Sequence, residues 1–347
     1  MTALLECRDV SVHYGDVVAV SGFDLEIDRG ETVALLGPSG SGKSTIMYAI
    51  AGFTPVAQGR ISIAGVEVSN PKATAAPETR PVGLVFQNYA LWPHMTALEN
   101  VAYPLRRAGH TRQDSLRGAA DLLRKVGIGE LEDRKPAELS GGQQQRVGLA
   151  RALARSAEIY LFDEPTAHLD SPVRAAVEEE IRRRRSELGS AAVYATHDHS
   201  EALASADRVA LLRQGTVIQV GTPTEIYERP VDTWAARLTG PVAALTGQTV
   251  RSGAGKVEVA LGDSTVVAEA GSPEQAGSVV MLVRPEWVTP GGPIRGIVDQ
   301  VAFRGPHTDY DIETPHGRLV ARAPGSPTLS KGESTGWSIE RGWVPIG

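Results

Sequence analysis

The stretch "GPSGSGKST", Gly37 to Thr45, decides the fold. It fits G-x-x-x-x-G-K-[ST] from Gly37 to Ser44, follows the apolar run "TVALL" and precedes the helix-like "STIMYAIAG". A strand, a glycine-rich turn and a helix start together make an anion site, because the first N–H groups of a helix lack intrahelical partners. Gly40 and Gly42 let the backbone close around phosphate oxygens, Lys43 offers a point charge to the β and γ phosphates, and the Ser44 hydroxyl can ligate Mg²⁺. The four fixed positions coincide by chance on the order of once in a hundred chains this size, before the surrounding strand and helix are counted.

Working outward, "EIYLFDEP" supplies what such a loop needs. Ile159 to Phe162 form an apolar strand that delivers Asp163 and Glu164 at its C-terminal end, where α/β sheets place ligands, and Pro165 cannot continue the ladder. Asp163 suits a Mg²⁺ shell, and Glu164 suits polarising the water that attacks a γ phosphate. The runs "ETVALLG", "VGLVFQ" and "AAVYATHD" have the same strand length and near-continuous apolarity. Alternating with helix-like stretches, they predict a parallel sheet covered on both faces, an α/β fold. Thr96 with Glu99, Asp198 with Glu201, and Thr222 with Glu225 have capping-box spacing, the last with Pro223 at the first helical position. "RVALLRQGTVIQVG" reads as a hairpin turning at Gln214-Gly215. A second serine- and glycine-rich helix start, "LSGGQQQR" from Leu139 to Arg146, raises the question of why one chain needs two anion sites.

The 347 residues suggest two domains, and a formal charge of −6 gives no global attraction to nucleic acid or an anionic membrane. The lone Cys7 precludes an internal disulfide, the start "MTALLECRDV" lacks signal-peptide regions, and no apolar run approaches membrane-spanning length. These features predict a cytoplasmic protein, with any membrane crossing left to another chain. After Gly240 and Pro241 the texture changes to short alternating runs such as "KVEVALG", "STVVAEAG" and "GRLVARAPG", separated by glycine and proline turns. That pattern predicts an all-β module, dividing the chain into 1–239 and 240–347. In "EEEIRRRRSELG", Glu178, Glu179 and Glu180 each precede an arginine by four residues (Arg182, Arg183 and Arg184), so this run reads as a solvated helix face rather than a nucleic-acid patch.

Taken in order, Gly37 to Thr45, Gln87 in "VFQNYALWPHMTALENV", "LSGGQQQR", "YLFDEPTAHLD" and "THD" resemble the nucleotide-binding subunit of an ATP-binding cassette (ABC) transporter. The likeness runs through "GTPTEIYERP" to "VRPEW" at Val283 to Trp287, which resembles the transport-associated OB-like (TOBE) domain of solute importers. It implies a P-loop NTPase core with an N-terminal antiparallel β subdomain and a helical signature subdomain, followed by an OB-like β domain. It also implies ATP and Mg²⁺ as cofactors. Gly37, Pro38, Ser39, Gly40, Ser41, Gly42, Lys43, Ser44 and Thr45 would hold the phosphates, and Tyr14 would stack on adenine. Ser44, Gln87 and Asp163 would face Mg²⁺. Glu164, His197 and Gln87 would serve hydrolysis, His197 by holding the γ phosphate.

The resemblance also answers the question of two anion sites. In this family two subunits pair head to tail, and Ser140, Gly141, Gly142 and Gln143 of one would complete the phosphate site of the other. Further partners would be transmembrane permease subunits and an extracytoplasmic solute-binding protein, with the chain peripheral on the cytoplasmic face of the cell membrane. His168 departs from the small or amide residue usual at its position, whereas Asp170 keeps the expected acid. A soluble ABC ATPase acting on nucleic acid or the ribosome would usually add a long coiled coil or a second cassette, and neither sustained heptads nor a repeated signature occurs here. An exporter ATPase commonly lacks the β module, and a non-hydrolytic scaffold has no need of both Glu164 and His197. The β module resembles those of importers for ferric iron, polyamine, sulfate, thiamine and sugar, which are the candidate solutes.

Overall fold

The computed structural model describes residues 3–86, 88–164, 179, 182–183, 186–187, 189–272 and 275–346. The expectations placed on Gln87, His168, Asp170, Glu178, Glu180 and Arg184 fall outside these residues. The chain divides into two compact units, 1–220 and 221–347.

The first unit opens with an antiparallel sheet of β1 (Leu5–Tyr14), β2 (Val17–Ile27), β4 (Gln58–Ile63), β5 (Val66–Asn70) and β6 (Ala73–Thr74), ordered β2-β1-β4-β5-β6. Cys7 lies buried in β1, where burial pushes its thiol pKa well up and leaves it inert. A second sheet holds β3 (Thr32–Leu36), β7 (Val82–Val85), β8 (Ile159–Asp163), β9 (Ala191–Thr196), β10 (Arg208–Arg213) and β11 (Thr216–Gly221), ordered β11-β10-β3-β9-β8-β7. Pairing is parallel from β10 through β3, β9 and β8 to β7. The β10–β11 connection turns at Gln214 (φ 51) and Gly215 (φ 80), the positive angles a tight hairpin requires.

Every residue of β3, β8 and β9 is buried, as two-sided coverage demands. Along β8, Ile159 and Leu161 enter the core shared with α1 (Lys43–Ala51) and the antiparallel sheet. Tyr160 and Phe162 point instead into the core of α2 (Ala97–Arg107), α3 (Arg112–Lys125) and α4 (Gly141–Ala154). The strand period of two thus ties one β sheet to two different coverings. On the helical side Phe162 stacks on Tyr194, with centroids 4.7 Å apart. Arg80, 1% exposed, donates to Ala49 O (2.9 Å) and Ile50 O (2.7 Å), placing a cation on the last carbonyls of α1.

Thr96 and Thr222 cap their helices with both halves of the predicted capping box. At α5 (His199–Ser205) only half forms. Asp198 accepts from Ser200 N and Glu201 N, but Glu201 turns away to take the Thr196 hydroxyl at 2.6 Å. In the charged run, Glu179 pairs with Arg182 and Arg183 with Glu187, so its described residues make exposed ion pairs at i,i+3 and i,i+4.

In the second unit, β12 (Ala243–Gly253), β13 (Lys256–Leu261), β14 (Ser264–Ala270), β15 (Ser278–Val283) and β20 (Trp343–Val344) close a barrel. Beside it, β16 (Val288–Phe303), β17 (His307–Thr314), β18 (Gly317–Pro324) and β19 (Ser334–Ile339) form a sheet ordered β18-β17-β16-β19. The change of sequence texture near Gly240 lies inside this unit, because α6 (Pro223–Glu228) and α7 (Thr233–Leu238) pack with the barrel. Arg284, 1% exposed, holds them: it donates to Tyr227 O (2.7 Å), Ala236 O (2.9 Å) and Thr239 Oγ1 (2.8 Å) and lies 3.9 Å over the Tyr227 ring. Among the described residues, no helix is long and apolar enough to cross a membrane.

Candidate active site

Four adjacent strands deliver the site. The loop after β3 carries Gly37 to Gly42, β9 ends before His197, β8 ends in Asp163, and Phe86 follows β7. Because β3, β9, β8 and β7 are neighbours and parallel, their C-terminal ends converge on one edge, the place where open α/β sheets bind ligands.

The loop is shaped for close backbone approach. A Cβ on Gly37 would stand 2.5 Å from Leu212 O, and Gly42 takes φ 98, so neither position admits a side chain. Gly42 caps α1 without a side-chain bond, and the first turn of α1 has no acidic residue, which keeps its N–H groups available to an anion. Lys43 is buried and donates to Gly37 O (2.8 Å) and Pro38 O (3.0 Å), folding over its own loop. Burial lowers its pKa, opposed by Glu164 and Asp163. Ser41 Oγ is buried in the same loop without a hydrogen-bond partner among the described residues.

Asp163, 1% exposed, accepts from Ser44 Oγ at 3.0 Å through Oδ1, while its buried Oδ2 has no hydrogen-bond partner among the described residues. An orphaned carboxylate oxygen beside a hydroxyl is a hard-oxygen pair that fits Mg²⁺. Burial raises the Asp163 pKa, and the hydrogen bond from Ser44 opposes it. Tyr48 lies one turn beyond Ser44 on the same face of α1, and its hydroxyl also approaches Asp163. Burial first, then the Asp163 charge, pushes the phenol up to about 12, so it stays protonated as a donor.

Glu164 leaves the strand at φ 50, a left-handed angle uncommon outside glycine. Its N–H donates to Ala195 O at 3.0 Å, its carbonyl accepts from Gln145 Nε2 at 3.4 Å, and its Oε1 lies 2.9 Å from His197 Nδ1. Strand pairing and the fully buried Gln145 therefore hold the Glu164 backbone, and the histidine meets its carboxylate. His197 is itself fixed by its neighbours, since Thr196 Oγ1 accepts from Asp198 N at 3.0 Å and Asp198 caps α5.

The second anion-type motif is built differently. Ser140 caps α4 in a capping box, accepting from Gln143 N at 3.4 Å and donating its own N–H to Gln143 Oε1 at 2.8 Å. Ser140 and Gly141 are exposed, and a Cβ on Gly141 would meet nothing within 4 Å. Nothing in the chain's own packing calls for glycine there, although glycine costs a helix about 1 kcal/mol against alanine.

Tyr14, at the end of β1, is 50% exposed, with its hydroxyl 3.4 Å from Thr54 Oγ1. Beyond Phe86 the chain borders a groove of about 930 Å³ whose lining includes Phe53, Leu84, Phe86, Trp92 and Tyr103. Trp92 packs on Tyr103 at 4.7 Å, and Asn100 brackets it by accepting from Trp92 N (2.9 Å) and donating to Trp92 O (3.2 Å). Sequence reading did not single out Tyr48, Gln145 or Arg151 at this site. The i,i+4 spacing of Ser44 and Tyr48 was a signal for the first; the others lie mid-helix in a run that reads as packing.

Comparison with known proteins agrees with this geometry. Residues 20–167 match the ABC transporter family and 281–343 the TOBE domain. The Fe(3+) ions import ATP-binding protein FbpC of Brucella abortus (strain 2308) is 39% identical over 91% of this chain and 90% of its own length. The spermidine/putrescine import ATP-binding protein PotA of Thermobifida fusca is 41% identical, covering 85% of this chain and 78% of the relative. The sn-glycerol-3-phosphate import ATP-binding protein UgpC of Vibrio vulnificus (strain CMCP6) is 44% identical over 68% and 62%. Among solved structures, the ATP-binding cassette MJ0796, a dimer in a post-hydrolysis state bound to ADP and Pi, superposes with a TM-score of 0.59 at 32% identity, covering 63% of this chain and 98% of that one. The phosphate loop, the carboxylate pair and the all-β unit thus find their common explanation: the chain belongs to the ABC transporter family, as an ATPase subunit of the import type that uses ATP with Mg²⁺ and ends in a TOBE domain.

Proposed function

We propose that two copies of this chain hydrolyse ATP at shared sites on the cytoplasmic face of a membrane and so drive solute import through separate permease subunits. Gly37 to Thr45 hold the phosphates and Tyr14 stacks on adenine. Ser44 and Asp163 would hold Mg²⁺, which would supply charge neutralisation to the β and γ phosphates. By analogy with the family, Gln87, outside the described residues, would contact the metal or the attacking water. Glu164 takes the proton from that water as its oxygen bonds to the γ phosphorus and the bond to the departing ADP breaks; His197 holds both Glu164 and the γ phosphate.

The shared-site reading is carried by Gly141, a helix-start glycine whose added Cβ would meet nothing within 4 Å among the described residues. An anion-type helix N-terminus with clear space before it suits a nucleotide held by another subunit. The dimer of MJ0796 supports that pairing. The groove flanked by Phe86 and Trp92 suits a permease helix, and an extracytoplasmic binding protein would deliver solute to that permease. Named relatives serve ferric iron, glycerol phosphate and polyamines, so the solute is a small ion or metabolite of these classes or of the sulfate, thiamine and sugar classes. Glu164→Gln is the direct test: ATP binding and ATP-driven pairing persist while turnover falls by about 10²-fold or more. Undiminished ATPase activity would remove Glu164 as the base.

A further inference from the structure

Arg151 on α4 is 8% exposed and has its hydrogen bonds directed at backbone rather than at a carboxylate. Its guanidinium donates to Ala90 O at 2.6 Å and Tyr89 O at 2.9 Å and lies 4.9 Å over the Trp92 ring. Burial brings its pKa down to about 10, so the cation is held at a desolvation cost. The two carbonyls it holds belong to consecutive non-glycine residues in the left-handed region, Tyr89 at φ 60 and Ala90 at φ 44. Such angles are unfavourable for residues other than glycine and persist only where the surroundings impose them. One turn earlier on α4, Gly148 faces the Tyr89 backbone, and a Cβ there would stand in ordinary contact, 3.4 Å from Tyr89 O. The same helix begins at Ser140 and touches the Glu164 carbonyl through Gln145.

We propose that Arg151 is a positioning residue: its planar fork clasps the strained Tyr89–Ala90 turn to α4, so that the loop after β7 and the helix carrying the signature move as one piece. The inference rests on the ATPase reading of the site, because the loop starts at the catalytic edge of the sheet and ends at the groove. Lysine lacks the rigid planar guanidinium that reaches both carbonyls while lying over the Trp92 ring.

In the full-length chain, Arg151→Lys should leave the KM for ATP within about twofold and lower kcat about tenfold, the signature of lost orientation rather than lost binding. Hydrogen exchange at the Tyr89 and Ala90 amides should accelerate about tenfold with α4 unchanged. Adding Ala90→Gly should restore most of the kcat, since glycine takes the left-handed angle without a clasp; a merely structural arginine would not be rescued this way. If Arg151→Lys does not fold, the exposed Ala90→Val, which opposes the same angle from the loop side, must show the same kcat loss at unchanged KM. Unchanged exchange in Arg151→Lys, no rescue by Ala90→Gly, or wild-type kcat in Ala90→Val would overturn the proposal. A wild-type chain without ATPase activity would instead overturn the ATPase reading, and the exchange measurement would still decide the clasp.

Discussion

The two glycine-rich helix starts, at α1 and α4, look alike as text and differ as objects. At α1 the glycines answer to the chain itself: Gly37 has Leu212 O where a Cβ would go, and Gly42 sits at φ 98. No side chain caps that helix, and its lysine is folded in and buried. At α4 a serine–glutamine capping box starts the helix, and a Cβ on Gly141 would meet nothing within 4 Å among the described residues. A glycine required by its own fold marks a loop whose shape is set within the chain. A glycine with no internal reason points to a surface that another molecule completes.

Substitutions can break this contrast. The largest effect is expected from Ser140→Arg, which should spare ATP binding by the single chain but abolish ATP-driven pairing and cut turnover about 10²-fold or more. Size-exclusion chromatography with ATP in the Glu164→Gln background reads this directly, and normal dimers would contradict the shared site. Next comes Gly42→Ala, whose Cβ would meet Ala19 O at 2.9 Å at an unfavourable angle. It should lower stability by about 2 kcal/mol or more in denaturant unfolding of the first unit. Gly141→Ala should do the reverse, raising stability by about 0.5–1 kcal/mol while weakening pairing, and a destabilised chain there would erase the distinction. The smallest effect belongs to Tyr48→Phe, which keeps the ring but removes the hydroxyl near Asp163. Turnover at saturating Mg²⁺ should change less than about threefold, with a modest shift in the Mg²⁺ concentration needed for half activity.

The legible parts of this molecule were those where a local pattern has one physical solution. Continuous apolar runs ending at Leu36, Asp163 and Thr196 became buried parallel strands, and the Gln214-Gly215 pair became the hairpin turn. The illegible parts depend on partners remote in sequence. Arg284 binds the carbonyl of Tyr227, 57 residues away, and thereby draws α6 and α7 into the second unit, although the composition changes only near Gly240. Arg151 reaches Tyr89 O across 62 residues. Glu201 has the spacing of a capping box, but the Thr196 hydroxyl competes for it and wins. No periodicity encodes such choices, because each is settled by which polar group the fold leaves nearest.

The strand order has a consequence for the chain as it is made. Thr32 in β3 pairs with Ala192 in β9, and Arg208 in β10 pairs with Val33, so both neighbours of the strand feeding the phosphate loop lie far downstream. At about 5–20 residues per second, the ribosome needs on the order of ten to thirty seconds to supply them. During that interval "TVALL" is an apolar segment with both hydrogen-bonding edges open. The nucleotide site is therefore among the last parts of the first unit to close, and this chain depends most on protection from aggregation while its own catalytic sheet is still being synthesised.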